Sequence, residues 1–519
     1  MLPYYTVRFF IDNIPARCKR KIRTTQYGFQ MLSFPVAAVR PAIPLALLLL
    51  AGCASVPDVG PKPLPKAADT IAAERSLAPA ADAEWPADVW WQGYGDPQLS
   101  GLIAEGMRNS PDVAAAVARF RRAGGFAQEA GAAQLPSLDA QGDATLDKQS
   151  YNNGFPREFL PQGWNDSGQL AANLGFDIDL WGRNRAAHAA ATSEERAAGN
   201  DALQAQLVLS TGIGLAYIDL EQQFIERDIR QSTLDMRLST QKLVSQRYAN
   251  GLENRVSLRQ ADAEVASARG SLVEADEAIA LRRHQIAALV GAGPDRGLAI
   301  TRPVLAALDT RGLPQGVTTN LIGRRPDIAA ARERVEAAAS RTDVARADFY
   351  PAISLGAMGG VQSLGVENLF KAGSVFGSVG PAISLPIFRG GALQGRYRGA
   401  RADYDEAVAN YDRTVLAAYQ QVADAVTTEA SLDQRVVDAR GAFVASEEAH
   451  ALARRRYEGG LSSYLDVLAV EDRMLIARSR LAALEAAARS IDITLIRALG
   501  GGYDTAAAVT LHSKDAPNG

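Results

Sequence analysis

The sequence predicts a mainly α-helical chain that carries a transmembrane β part and is built as two copies of one unit. Three observations predict this. Motifs recur at a nearly constant offset: Asn109-Ser-Pro-Asp-Val-Ala-Ala-Ala returns as Arg325-Pro-Asp-Ile-Ala-Ala-Ala, Arg247-Tyr-Ala-Asn-Gly-Leu as Arg456-Tyr-Glu-Gly-Gly-Leu, and Ala288-Leu-Val-Gly as Ala498-Leu-Gly-Gly. Within each copy, two short segments alternate apolar and polar residues with the period of a strand. Each copy also holds a long Pro-free stretch followed by a shorter one in which apolar residues keep a seven-residue register.

Composition supports long helices over several compact lobes. Of 519 residues 47% are apolar but only 7% aromatic, and Ala is the commonest residue, which suits close helix packing better than bulky cores. A formal charge of −3, from 55 basic and 58 acidic residues, excludes the basic excess of a nucleic-acid binder. Two Cys and four His leave little material for a metal cluster or a disulfide framework.

The first element is an address. After Arg40, the run Leu45 to Leu50 ends in Ala51-Gly52-Cys53, too short to span a bilayer as a helix and shaped like a secretory signal. Small residues directly before Cys53 resemble a bacterial lipobox, in which the Cys becomes the first mature residue and carries lipid; an ordinary signal with an incidental Cys is the alternative. Met31 is a better start than Met1 for such a signal. Residues 1–53 hold seven basic residues and one acidic one, so the remainder has 48 against 57, a charge of −9. The layout read from this is a signal region at 1–52, a lipid-anchored linker at 53–97, structural repeats at 98–300 and 301–502, and a flexible tail at 503–519.

Each repeat reads as helix, two strands, long helix, turn, helix. In the first, Leu138, Ala140, Gly142, Ala144 and Leu146 form one face of a strand. Leu170, Ala172, Leu174, Phe176, Ile178 and Leu180 form one face of the next, opposite Gln169, Asn173, Asp177 and Asp179. The second repeat has Ile353, Leu355, Ala357 and Val361, then Val375, Val379, Ile383 and Leu385. Such strands fit a tilted membrane barrel; a soluble hairpin on a core would alternate the same way. Helix lengths are an independent check. Arg183 to Tyr248 is 66 residues, while Leu252 to Val290 and Pro111 to Gln134 are 39 and 24; the second repeat gives 64 (Gln394 to Tyr457), 39 (Leu461 to Leu499) and 24 (Pro326 to Phe349). One long helix of about 100 Å would run beside two shorter ones stacked end to end. The returning helices carry the heptads: Leu258, Val265, Leu272, Ile279 and Ile286, and Val467, Met474, Leu481, Ala488 and Leu495. Four strands cannot close a barrel, so the chain must associate; a dimer would supply eight strands and a trimer twelve.

Four carriers in this order resemble a known family: the lipobox Cys53; Trp90-Trp91-Gln-Gly-Tyr-Gly-Asp96-Pro97-Gln-Leu99; Phe176-Asp-Ile-Asp-Leu-Trp-Gly182-Arg183; and the paired Arg-Tyr-x-x-Gly-Leu turns. The family is the outer-membrane factor lipoproteins of tripartite, RND-type efflux systems, the NodT family of TolC-like channel-tunnels, and the likeness runs from about Cys53 to Gly502. It implies a homotrimer with a twelve-stranded β-barrel in outer-membrane lipid, continuing into a periplasmic helical coiled-coil barrel. It further implies a membrane-fusion adaptor protein and an inner-membrane RND-type transporter as partners, with Tyr248, Gly251, Leu252, Tyr457, Gly460 and Leu461 as adaptor-contact tips. Asp466 matches a position where family members place a pore-ringing carboxylate, although Ser463-x-x-Asp466 is equally a capping box. Ala469 stands where some members have a second acid, and Ser257 and Ser462 where some carry an inter-helix acid–base pair.

Catalytic chemistry is not expected. The chain has no Walker loop, Cys-x-x-Cys, His-Glu-x-x-His or Gly-x-Ser-x-Gly. His188, His284, His450 and His512 are scattered and read as surface residues. Asp177 and Asp179 read as channel-lining acids on a strand's polar face. No metal, nucleic acid or cofactor is expected beyond covalent lipid on Cys53. The reading is a passive, lipid-anchored outer-membrane exit duct for drugs or other small molecules. The alternatives are a type I protein-secretion duct and a pore-less periplasmic coiled-coil protein.

Overall fold

Among the described residues, a helix, two strands, a long helix and a returning helix occur twice in the same order. The computed structural model describes residues 55–78, 83–152, 154, 156–306 and 312–503; the signal region, Cys53, His512 and the tail beyond residue 503 lie outside them. Helices α1 (Pro97–Asn109) and α2 (Pro111–Ala132) precede strands β1 (Ser137–Asp147) and β2 (Asn165–Ile178). Helices α3 (Arg183–Ala249) and α4 (Arg255–Leu289) follow. The second copy gives α5 (Pro326–Ala347), β3 (Ala352–Leu364), β4 (Val375–Ser384), α6 (Ala392–Glu458) and α7 (Tyr464–Ala498).

The expected length relation holds because the shorter helices meet end to end. Both long helices have 67 residues, against 22 and 35 for their partners in each copy. Where α4 ends, Gly291 lies against the carbonyl of Asn109, one residue before the α1–α2 junction, so α4 abuts the start of α2. Where α7 ends, Gly500 lies against the carbonyl of Arg324, just before α5. The returning helices bury part of the predicted seam, Val265, Ile279 and Ile286 on α4 and Val467, Met474 and Leu495 on α7, with Ala261, Ala268 and Ala275 buried beside it, while Leu258, Leu272, Leu481 and Ala488 are half-buried.

All four of these helices, α3, α4, α6 and α7, end in the same cap. After α3, Gly251 N donates to Tyr248 O and Leu252 N to Arg247 O; after α6, Gly460 N donates to Tyr457 O and Leu461 N to Arg456 O. The same pair of bonds closes α4 at Gly291 and Ala292, and α7 at Gly500 and Gly501. Each first glycine has φ between +72° and +100°, which an L side chain resists, and this is why Gly stands there.

The Trp-Trp motif clasps the helices where the two copies meet. Asp96 caps α1 through Gln98 N (2.8 Å) and accepts from the Tyr217 phenol of α3 (2.7 Å) and Val304 N (3.0 Å). Tyr94 donates to Asp492 of α7 at 2.6 Å. Burial pushes the Tyr217 phenol well up, and the neighbouring Asp96 carboxylate adds to that, so it stays a donor. Gly214 leaves room for both Trp90 and Ile493, whose atoms would lie 2.9 Å from a Cβ there; this is the packing reason for a glycine inside α3.

The sheet is antiparallel, in the order β1-β2-β3-β4. Its register aligns the apolar faces of all four strands. Leu138, Leu174, Ala357 and Val379 form one row, and Ile178, Ile353 and Ile383 another. The opposite face carries Asp139, Asn173, Met358 and Ser378 in one row and Asp143, Gln169 and Gln362 in another. Most of the apolar face is uncovered among the described residues: Leu138, Val375, Val379 and Ile383 are each at least 70% exposed. Among the described residues, β1 and β4 leave both edges of the sheet unpaired.

The glycine caps yield a graded prediction. A Cβ at Gly291 or Gly500 collides with backbone, whereas one at Gly251 or Gly460 meets nothing within 4 Å. Gly291→Ala or Gly500→Ala should cost about 3 kcal/mol or more, and Gly251→Ala or Gly460→Ala only the αL strain of about 1 kcal/mol. Thermal denaturation of the four variants should show the two classes well separated; equal midpoints would contradict the packing.

Candidate functional site

The two helix reversals lie side by side and form a small hydrophobic tip. Val244, Ala261, Tyr457, Tyr464, Val467 and Leu468 are buried there, with Leu243 and Leu258 packed against them. Of the expected adaptor-contact residues, Tyr248, Leu252 and Leu461 are exposed, at 41%, 65% and 74%, and Gly251 and Gly460 make the two turns. Tyr457 is different. It is 1% exposed, and its phenol donates to Glu253 Oε2 at 3.1 Å while the Arg247 guanidinium lies 4.8 Å from its ring centre. Burial, with Glu253 alongside, pushes its phenol up to about 12. Tyr457 therefore ties the reversals together from within and is not a contact surface, although Tyr248, its counterpart by repeat, stays outside. Sequence repetition concealed this, because only one member of each repeated pair can face the other hairpin.

Asp466 completes the capping box that Ser463-x-x-Asp466 spells. Its Oδ2 accepts from Ser463 N and Ser463 Oγ, both at 2.8 Å, and Ser463 Oγ accepts from Asp466 N at 3.3 Å. The backbone and hydroxyl bonds from Ser463 hold its carboxyl below the usual range, so it is ionised and solvent-exposed at the first turn of α7. The capping role does not consume the charge. Ser257 sits in the first turn of α4, where its amide donates to the cap residue Asn254 at 2.9 Å, and Ser462 Oγ is buried without a hydrogen-bond partner.

Farther up the helices lies a polar cluster that sequence reading missed. Arg237 of α3 places Nε 3.0 Å from Glu471 and Nη2 2.6 Å from Asp472, both on α7, with Glu264 of α4 at 3.8 Å. Glu471 is 1% exposed, and His450 of α6 approaches it at 3.8 Å. His450 is thus buried, contrary to the expectation of surface histidines; His188 is half-buried and His284 exposed. The available signal was Arg237 itself, one heptad before the buried Val244.

At the sheet's end the two predicted lining acids part company. Asp177 is exposed on the polar face of β2, opposite Ser354. Asp179 lies beyond the strand and caps α3: its carboxylate accepts from Asn184 N at 3.2 Å and Arg185 N at 2.9 Å, and pairs with the Arg185 guanidinium. Burial pushes its carboxyl up, but those amides and the guanidinium outweigh it and hold it below the ordinary value. Beside it, Trp181 stacks on Tyr350, and Arg183 pairs with Asp348 at 2.8 Å. These groups line a hollow of about 260 Å³ beneath the strands.

The linker is strapped along α6. Arg401 donates to the carbonyls of Gly60 and Pro61, Tyr404 donates to Pro63 O at 2.9 Å, and Lys66 N donates to Asp412 at 2.8 Å. The strap runs toward the sheet end of α6 as it approaches residue 60.

The Asp179 cap has a measurable pH signature. A carboxyl whose folded value is depressed contributes its stability in full above its free value, about 4, and loses it as pH falls through the lowered value. Asp179→Asn should cost about 1 kcal/mol at neutral pH and flatten the acid limb of the thermal midpoint. An acid limb identical to wild type would remove Asp179 from the cap.

Comparison with known proteins agrees with this architecture. Residues 102–292 and 317–501 match the outer membrane efflux protein family. The fusaric acid resistance protein FusA of Burkholderia cepacia is 35% identical over 364 residues, 68% of each chain. The multidrug resistance outer membrane protein MdtP of Escherichia coli K12 is 30% identical over 435 residues, 82% of this chain and 88% of that one. The crystal structure of the outer membrane protein VceC from Vibrio cholerae superposes with a TM-score of 0.76 at 42% identity, covering 81% of this chain and all of that one. The chain belongs to the outer membrane efflux protein family, and it is an outer-membrane channel protein with a periplasmic tunnel, not an enzyme.

Proposed function

We propose that the chain is the passive exit duct of a tripartite pump, a homotrimer that receives small molecules from an inner-membrane RND-type transporter through a membrane-fusion adaptor. The sheet carries this reading. Its apolar face is largely bare and both edges are open among the described residues, and β1, 11 residues and about 37 Å long, would at the usual barrel tilt of about 40° cover the roughly 25 Å apolar band of an outer-membrane barrel. Three copies supply twelve strands, which closes every edge. The polar rows then face water inside the barrel, with Asp177 among them, and the 67-residue helices continue the passage through about 100 Å. Energy comes from the partner. A pore-less coiled-coil protein would not need an aligned apolar sheet face, and a protein-secretion duct is the remaining alternative within the channel class.

Three finer assignments belong to this reading. Asp466, ionised at the start of α7, would form a ring of three carboxylates at the periplasmic entrance, favouring cations. Leu252 and Leu461, exposed just past the capped reversals, would dock the adaptor beside Tyr248, Gly251 and Gly460. Lipid on Cys53 would hold the linker at the membrane, since seven residues from Gly60 reach at most about 25 Å; the intact mass of the exported chain is the check.

Purified full-length protein in planar bilayers should conduct, and Asp466→Ala should raise its closed-state conductance. Silence from a correctly assembled trimer would sink the duct reading, and unchanged conductance in the variant would sink the acidic ring. Leu252→Asp with Leu461→Asp should abolish adaptor cross-linking in cells while leaving trimers intact; normal cross-linking would remove the tips from the interface.

A further inference from the structure

Helix α3 belongs to the first copy and α5 to the second, and the two pack along each other. On the face where Leu77 of the linker and Ile322 cover α5, they leave a groove of about 780 Å³ between them. Its floor is small and apolar, with Ala189 and Gly199 from α3 and Ile328 and Ala329 from α5. It runs from Asn200 toward the sheet as far as Ala189, about 17 Å along α3. Arg196 and Glu333 join its two walls at 2.8 Å, and Arg332 stands on its rim.

The chain is delivered to one end of this groove. Gly500, Gly501 and Gly502 have φ of 100°, 62° and 85°, and a Cβ on Gly502 would lie 2.4 Å from Asp88 N, so the chain leaves α7 through one tightly fitted turn. Tyr503 follows, lines the groove, and donates to Asn200 Oδ1 at 2.9 Å; Asn200 is itself 7% exposed. Sixteen residues, Asp504 to Gly519, come after Tyr503 in the sequence. The first of them, Asp504-Thr-Ala-Ala-Ala-Val509, are mostly small, and in an extended segment Ala507 and Val509 fall on one side. Six extended residues span about 20 Å, which matches the groove. Laid in it, Asp504 would stand at the end that holds Arg332 and Arg196, one turn from Ile328 and Asn200 respectively.

We propose that the segment 504–509 lies in the groove between α3 and α5 as an intramolecular staple, with Ala507 and Val509 toward the floor and Asp504 beside the two arginines. The end of the second copy is thereby fastened to the first helix wall, and the seam between the copies is covered. A tether that starts inside the groove gives the segment a high effective concentration there, so a few apolar contacts suffice to hold it. The staple is independent of the duct reading.

The test is maleimide labelling of purified full-length protein. Ala329→Cys and Ala189→Cys, made one at a time, place a thiol in the groove; Gln315→Cys, on an exposed loop residue, is the control, and each rate is read over that of the parent chain. Ending the chain after Tyr503 should speed labelling at both groove positions roughly tenfold, the ratio for a groove left open a tenth of the time. The rate at Gln315→Cys should not change. If the shortened chain does not assemble, the full chain carrying Ala507→Asp and Val509→Asp decides, and should show the same rise. Equal rates with and without the segment overturn the staple: fast in both means an open groove, and slow in both means that a second copy or another protein covers it. A matching rise at Gln315→Cys also overturns it, as general loosening of the fold.

Discussion

A β-sheet in hydrocarbon must pair every backbone polar group, and this constraint governs the rest of the molecule. Among the described residues, one chain supplies four strands with an apolar face and two unpaired edges, a structure that neither water nor lipid tolerates alone. In the proposed trimer, closure by other copies would satisfy the edges, and the closed ring would then dictate what lies below it. Each copy must deliver its helices at the spacing set by its strands, so a wall of narrow helices follows. That requirement explains the composition: Ala261, Ala268 and Ala275 on α4 let helix axes approach closely, where larger side chains would push the wall apart.

Duplication halves the design problem but leaves the two halves unequal. The same capped reversal ends α3 and α6, yet Tyr457 is buried against the neighbouring hairpin while Tyr248 faces outward. The same strand-to-helix junction starts both long helices, but Asp179 caps α3 and Phe388, its counterpart by repeat, is exposed before α6. Two similar units placed side by side cannot each have the other on the same flank, so equivalent residues must meet different surroundings.

The parts legible in sequence are those governed by local periodicity and by turn chemistry. Strand alternation around Leu138 to Leu146, the heptads of α4 and α7, and the glycines at 251 and 460 each carry their own signal within a few residues. What was not legible depended on where an element ends or on a partner brought close by the fold. Asp179 looks like a strand residue until β2 is seen to end at Ile178, after which the free amides of α3 claim it. His450 reads as a surface residue on α6 until Glu471 is brought beside it. The Trp90-Trp91 segment could be recognised as a motif, but its task appeared only with Asp492 and Tyr217, hundreds of residues downstream.

Small-residue seams explain close packing but not alignment. A heptad seam of Ala, Leu and Val fits nearly as well when displaced by one repeat, about 10 Å, and over helices of this length such slips cost little in apolar burial. A charge in the seam removes that freedom, because a displaced Arg237 or Glu221 would be buried without its partner, while the aligned ones meet Glu471 and Arg489. The few ionic contacts across α3 and α7 therefore add little to net stability and much to register. A single register is what carries the placement of the tips faithfully from the strands, through two helices of 67 residues, to the far end of the protein.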